Sequence, residues 1–245
     1  MTRMGACLLV VGVILLLSPA YAAETSFTPP VPLLVSPAES IVTTCEDKII
    51  EIDLSSGVGT DTTTIKMWIN SDSFTLADPE LELVDDTLIF NPSGLYTYST
   101  GPVDVCLDSI SDTLGVWKER TCWQFTVDLE PPVMSNPSPT SPPPVTAFDF
   151  PISMDISDVI LPVDSSSIEV QLIAGGDTAV VDYGSSISSW DGTTFSFGAY
   201  QSGAALQSGA EVTVRLLVRD YPMDDPSCAG NLLDTSYSFI LAEAP

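Results

Sequence analysis

"IEIDLSS" at Ile50–Ser56 and "ISMDISD" at Ile152–Asp158 decide the fold, because they are two versions of one pattern. Ile50, Ile52 and Leu54 alternate with Glu51, Asp53 and Ser55; Ile152, Met154 and Ile156 alternate with Ser153, Asp155 and Ser157. Alternation with period two over a short run marks a strand buried on one face. Three more block pairs run in the same order. "DTTTIKMWI" from Asp61 matches "DSSSIEVQL" from Asp164, "DDTLIFNPSG" from Asp85 matches "WDGTTFSFGA" from Trp190, and "CWQFTVD" from Cys122 matches "SYSFILA" from Ser236. Blocks recurring in one order about 100 residues apart make two copies of one domain.

The same alternation recurs at Val103/Val105/Leu107, Ile168/Val170/Leu172, Val212/Val214/Leu216/Val218 and Trp123/Phe125/Val127, and no helical period of adequate length accompanies it. Short half-buried strands separated by Gly, Pro, Asp and Ser turns predict an all-β chain with one β-sandwich per unit. Acidic residues on the polar faces also discourage edge-to-edge pairing. The boundary falls in "VDLEPPVMSNPSPTSPPP", Val127–Pro144, a short stiff linker running into an irregular first edge strand. The corresponding start of the first unit is "TPPVPLLVSPAES", so the domains are expected at 23–129 and 130–245.

Residues 1–22 read as a secretory signal peptide. Arg3 precedes an apolar run from Leu8 to Leu17, and "SPAYAA" places Ala20 and Ala22 in an A-x-A arrangement for cleavage after Ala22. The run is shorter than the roughly 18–20 residues that a membrane span needs, so the mature chain is expected to have no span. The expected location is outside the cytoplasm: extracellular, at the cell surface, or periplasmic.

Composition excludes several function classes. With 33 Asp+Glu against 7 Lys+Arg the formal charge is −26, and loss of Arg3 takes it one unit further. Such a surface offers a nucleic acid no counterion release. Hydrophobic residues make up 44% of the chain, too many for a disordered acidic segment. There is no histidine, which removes Ser-His-Asp and Cys-His triads and His-ligated zinc. Cys7 leaves with the signal peptide, and Cys45, Cys106, Cys122 and Cys228 remain. In an oxidising compartment four cysteines favour two disulfides, with three pairings open.

The run "EPPV…NPSP…ISMDISD…VDSSSIEVQL…WDGTTFSF…LQSGAEVTVRLLVRD…AGNLLDTSYSF" resembles the bacterial Ig-like domain of surface-layer and adhesin-type proteins. The first unit fits through "DTTTIKMWI", "DDTLIFNPSG" and "CWQFTVDLEPP", but has "SDTLGVW" where the family has D-x-x-G-N. The resemblance implies two tandem Ig-like β-sandwiches. Such domains serve as stalks, spacers, adhesin modules and accessories of enzymes, so fold alone does not specify a role.

Strand directions in such a sandwich place the cysteines. With Asp112–Val116 as a hairpin tip, Cys106 and Cys122 lie opposite each other on one face, and a cross-strand disulfide is expected there, with other pairings open. The remaining pair, Cys45 and Cys228, would then bridge the domains; a free, solvent-facing Cys228 is the alternative. The same geometry gathers oxygens. Asp128 and Glu130 end the first unit, Glu46 and Asp47 flank Cys45, and Asp220, Asp224, Asp225 and Asn231 lie in the facing loop "VRDYPMDDPSCAGN", Val218–Asn231. Calcium takes about six to eight oxygens of these kinds, and the resemblance implies the same, since tandem Ig-like adhesin repeats hold calcium at such junctions. The competing reading is a solvated acidic loop in which Gly230-Asn231 makes the turn.

Trp117, Tyr96 and Tyr98 raise the possibility of a sugar-stacking platform, whereas Trp123 and Trp190 are expected to pack. Paired carboxylates could serve a glycosidase, but two small sandwiches offer no deep cleft for them. The expectation is a non-enzymatic exported spacer or adhesive protein, with a protein or glycan at the cell surface as partner. A carbohydrate- or protein-binding accessory module is the second reading.

Overall fold

The repeated blocks form matching strands. A computed structural model describes residues 29–92, 94–141, 145, 150–222 and 228–242; the expected signal peptide, Asp224 and Asp225 lie outside them. In the N-terminal half the strands are β1 (Leu33–Ser36), β2 (Val42–Thr43), β3 (Ile50–Asp53), β4 (Lys66–Ile69), β5 (Asp72–Thr75) and β6 (Leu81–Val84). They continue with β7 (Thr87–Phe90), β8 (Gly101–Leu107), β9 (Ile110–Ser111), β10 (Trp117–Lys118) and β11 (Thr121–Val127). One sheet has the order β1-β3-β7-β6 and the other β2-β11-β8-β4-β5, while β9 and β10 form a small hairpin beyond them.

The C-terminal half repeats that order. Its strands are β12 (Val133–Ser138), β13 (Pro151–Ser157), β14 (Val163–Ala174), β15 (Asp177–Asp182), β16 (Ser188–Trp190), β17 (Thr194–Gly198), β18 (Glu211–Asp220) and β19 (Leu232–Ile240). They pair as β12-β13-β17-β16 and β15-β14-β18-β19. Even the parallel contact of β2 with β11 has a counterpart, the parallel bridge between Val145 and Leu241. Two sheets with this Greek-key strand order make an Ig-like β-sandwich, and the chain holds two in tandem. Residues 128–132 connect them.

The alternating residues account for both cores. Ile50 and Ile52 of β3 and Leu88 and Phe90 of β7 pack against Met67, Val103, Val105 and Phe125 of the opposite sheet. Ile152, Met154, Phe195 and Phe197 face Ile168, Val170, Leu172, the Val212–Val218 series and Phe239. The turn chemistry is duplicated as well. Asp61 Oδ1 accepts from the Thr63 N–H at 3.0 Å and its hydroxyl at 2.7 Å, while Thr64 Oγ1 donates to the Asp61 carbonyl at 2.7 Å. Asp164, Ser166 and Ser167 repeat all three bonds at 3.0, 2.6 and 2.7 Å. Short Asp and Ser/Thr side chains that bond their own backbone set such turns, so this block leads into β4 in the first copy and makes the irregular start of β14 in the second. Among the described residues no helix is long and apolar enough to cross a membrane.

Candidate metal centre at the domain junction

Three aspartates from separate segments converge where the sandwiches meet. Asp128 is the first residue after β11, and its N–H donates to the Thr43 carbonyl at 2.9 Å, extending the pairing with β2. This fixes Asp128 on the first domain. Asp158 follows β13, and its Oδ1 accepts from the Ile160 and Leu161 N–H groups at 2.9 and 3.0 Å. Asp220 ends β18, where Asn231 holds it from both sides: the Asn231 N–H donates to Oδ1 at 2.7 Å and Nδ2 donates to Oδ2 at 2.6 Å. One carboxylate oxygen of each aspartate lies within 4.8 Å of the others.

Two of these carboxylates are buried and the third, Asp158, is half-buried. Asp128 and Asp220 are each 1% exposed, a degree of burial that aspartates reach only with strong compensation. Asp128 Oδ1 accepts from the Glu130 N–H at 3.1 Å, but Oδ2 is buried without a hydrogen-bond partner. Burial pushes the Asp128 carboxyl above the usual carboxylate range, and the Asp158 and Glu130 charges add to it, against the Glu130 and Leu161 N–H groups. Burial likewise raises Asp220, opposed by the two Asn231 bonds and reinforced by the Asp128 and Asp158 charges. Among the described residues no basic group forms an ion pair with the three. Arg219 Nη1 instead donates to the Gly230 carbonyl at 2.5 Å.

Direct bonds cross the junction beside this cluster. Asn231 Nδ2 donates to the Asp128 carbonyl at 2.9 Å, and Thr44 Oγ1 donates to the Ala229 carbonyl at 3.0 Å. A disulfide joins Cys45 to Cys228 with Cα atoms 5.6 Å apart. The other disulfide, Cys106–Cys122, spans the β8–β11 ladder, where the two cysteines are register partners with Cα atoms 4.1 Å apart.

Of the residues singled out from sequence, the structure brings Asp128, Asp220 and Asn231 together. The Glu130 residue is exposed and contributes its backbone N–H. Glu46 and Asp47 are exposed and line a shallow cleft with Cys45 and Cys228. Sequence reasoning missed Asp158, although "ISMDISD" carries it where the first copy has Ser56, a charge gained in one repeat only. Most of the aromatic candidates are used internally. Tyr96 and Tyr98 stack edge-on between Phe74, Phe90 and Phe125, the Tyr98 hydroxyl donates to the Lys48 carbonyl at 2.9 Å, and Trp190 packs on the second core. Trp117, 60% exposed, is not.

An all-oxygen set of carboxylates suits a hard cation, and calcium tolerates the irregular geometry that three separate segments supply. Soft-metal alternatives have no donors here, since the four described cysteines are in disulfides.

No family model and no curated protein matches the chain. Among solved structures it is similar to the insect immune protein hemolin, at 9% identity over 90% of this chain and 49% of that chain, TM-score 0.30. It is also similar to Rst D1-D2 at 8% identity, covering 87% and 99%, TM-score 0.33, and to human protocadherin-24 EC1-2 at 11% identity, covering 88% and 100%, TM-score 0.36. The chain therefore spans about half of the hemolin chain and nearly all of the other two. The tandem Ig-like assignment rests on this chain's own strand order.

Proposed function

We propose that this protein is a non-enzymatic tandem Ig-like module that works outside the cytoplasm as a spacer or adhesive element. Its domain junction is set by the Cys45–Cys228 disulfide and by a calcium ion held by Asp128, Asp158 and Asp220. The observation that carries this reading is the buried, unpartnered Oδ2 of Asp128 beside two further carboxylates from the other domain. Uncompensated, three negative charges would push the domains apart at the place where a disulfide and two hydrogen bonds hold them together. A divalent cation resolves that conflict and supplies the missing partner.

A fixed angle between sandwiches is what a spacer needs, since domain contacts within a chain otherwise permit relative motion. The partner class that fits is a protein or glycan at a cell surface, and the surface-layer or adhesin-type arrays resembled by the sequence are the corresponding setting. Calorimetric titration of the chelator-treated protein with calcium tests the reading. One binding site per chain, together with a narrower inter-domain distance distribution by pulsed dipolar spectroscopy, is the expected result. Absence of both heat and thermal shift would overturn it.

A further inference from the structure

We infer that the Cys45–Cys228 disulfide is the positioning element of the cation site, so that the redox state of this one bond sets the site's affinity. The inference rests on the reading of Asp128, Asp158 and Asp220 as calcium ligands. A closed circuit of bonds surrounds the site. The Asp128 N–H donates to the Thr43 carbonyl at 2.9 Å, two residues before Cys45. The disulfide crosses to Cys228. Three residues further on, Asn231 closes the circuit by donating to both carboxylate oxygens of Asp220 and, at 2.9 Å, to the Asp128 carbonyl. Thr44 to Ala229 is a parallel strut at 3.0 Å.

The segment from Cys228 to Asn231 has no slack. Gly230 lies so close to Asp220 that a Cβ there would stand 2.6 Å from its Oδ1 and clash with its backbone carbonyl. Displacement of Cys228 is therefore passed to Asn231 and through it to Asp220. Besides the disulfide, the covalent connection between the two sets of ligands is residues 128–132.

A dithiol reductant opens the circuit. It supplies two electrons and two protons, the Sγ–Sγ bond breaks, Cys45 and Cys228 each end as a thiol, and the dithiol closes to its own disulfide. The segments carrying Thr43 and Asn231 are then joined by the Thr44–Ala229 and Asn231–Asp128 hydrogen bonds without the covalent bond, and calcium must restrain the added freedom when it binds, which weakens it. Linkage makes the effect reciprocal: whatever factor the disulfide adds to calcium affinity, calcium adds to the bond's resistance to reduction. The Cys106–Cys122 disulfide lies in one sheet, towards the end of β11 remote from Asp128, and serves as an internal reference.

The experiment uses the oxidised full chain. Calcium binding is measured by calorimetry on the native protein and on the paired variant C45S/C228S. The equilibrium of Cys45–Cys228 with dithiothreitol is measured with and without calcium by differential alkylation and mass spectrometry. Affinity about tenfold or more weaker in the variant is expected, with calcium shifting the dithiothreitol equilibrium by the same factor and leaving Cys106–Cys122 unmoved. The second measurement needs no variant, so it decides even if C45S/C228S does not fold. Calcium bound by the native chain with neither quantity changed would overturn the linkage and leave the calcium reading standing. No calcium binding by the native chain would overturn both.

Discussion

Asp128→Asn should have opposite effects on stability depending on whether calcium is present. The substitution keeps an oxygen for the Glu130 N–H and replaces the unpartnered, buried Oδ2 with a donor placed among carboxylates. With the three oxygens within 4.8 Å of one another and an effective dielectric of about 20, each pair of full charges costs at least about 3.5 kcal/mol. Asp128 takes part in two such pairs. The Glu130 N–H on Asp128 and the two Asn231 bonds on Asp220 offset part of that repulsion. A net gain of about 1–2 kcal/mol for the calcium-free variant is the reasonable remainder, which for a chain of this size raises Tm by about 2–8 °C. Calcium at a hundredfold excess over its Kd stabilises the native protein by about 2.7 kcal/mol, or about 5–11 °C, and should not stabilise the variant. Differential scanning calorimetry of both proteins, with chelator and with calcium, reads all four values. A variant less stable than the native chain in chelator, yet shifted equally by calcium, would show that Asp128 is neither a source of repulsion nor a ligand.

Two other substitutions test the packing around this site and away from it. Gly230→Ala should cost at least about 2–3 kcal/mol in urea unfolding, because its Cβ meets the Asp220 backbone, which cannot yield as a side-chain end would; a loss under about 0.5 kcal/mol would mean that the loop is not seated on Asp220. Asp234→Asn, by contrast, breaks an Arg215 pair whose side chains are 40% and 42% exposed, and should leave stability within about 0.5 kcal/mol; a larger loss would show that this surface pair couples to the core.

The fold was legible because its determinants are local and occur twice. Alternation in "IEIDLSS" and "ISMDISD" gives the buried face of β3 and β13, and the Asp61 and Asp164 blocks specify the starts of β4 and β14 within a few residues. The edge strands β5 and β15 were harder to see, because "DSFT" and "DTAVVD" bury few side chains and so alternate weakly. The junction was legible only in part. Asp128 and Asp220 sit at strand ends, whose location follows from the strand pattern itself. Asp158 is carried in by a loop, and its neighbourhood depends on how two whole domains dock, which no short window of sequence encodes. Glu130 drew notice for its charge, yet its contribution is a backbone N–H that any non-proline residue would offer.

The disulfide between the domains also determines how the module answers a pull on its two ends. Cys45 and Cys228 are 183 positions apart in sequence, so tension entering from one terminus passes through a single covalent bond and leaves by the other. Strands β3 to β18 hang off that path as a side loop. Unravelling a stretch of that length would otherwise release on the order of 600 Å of chain. With the bond closed, the strands that tension can peel are β1, β2 and β19, and the chain between the two cysteines stays out of the load path.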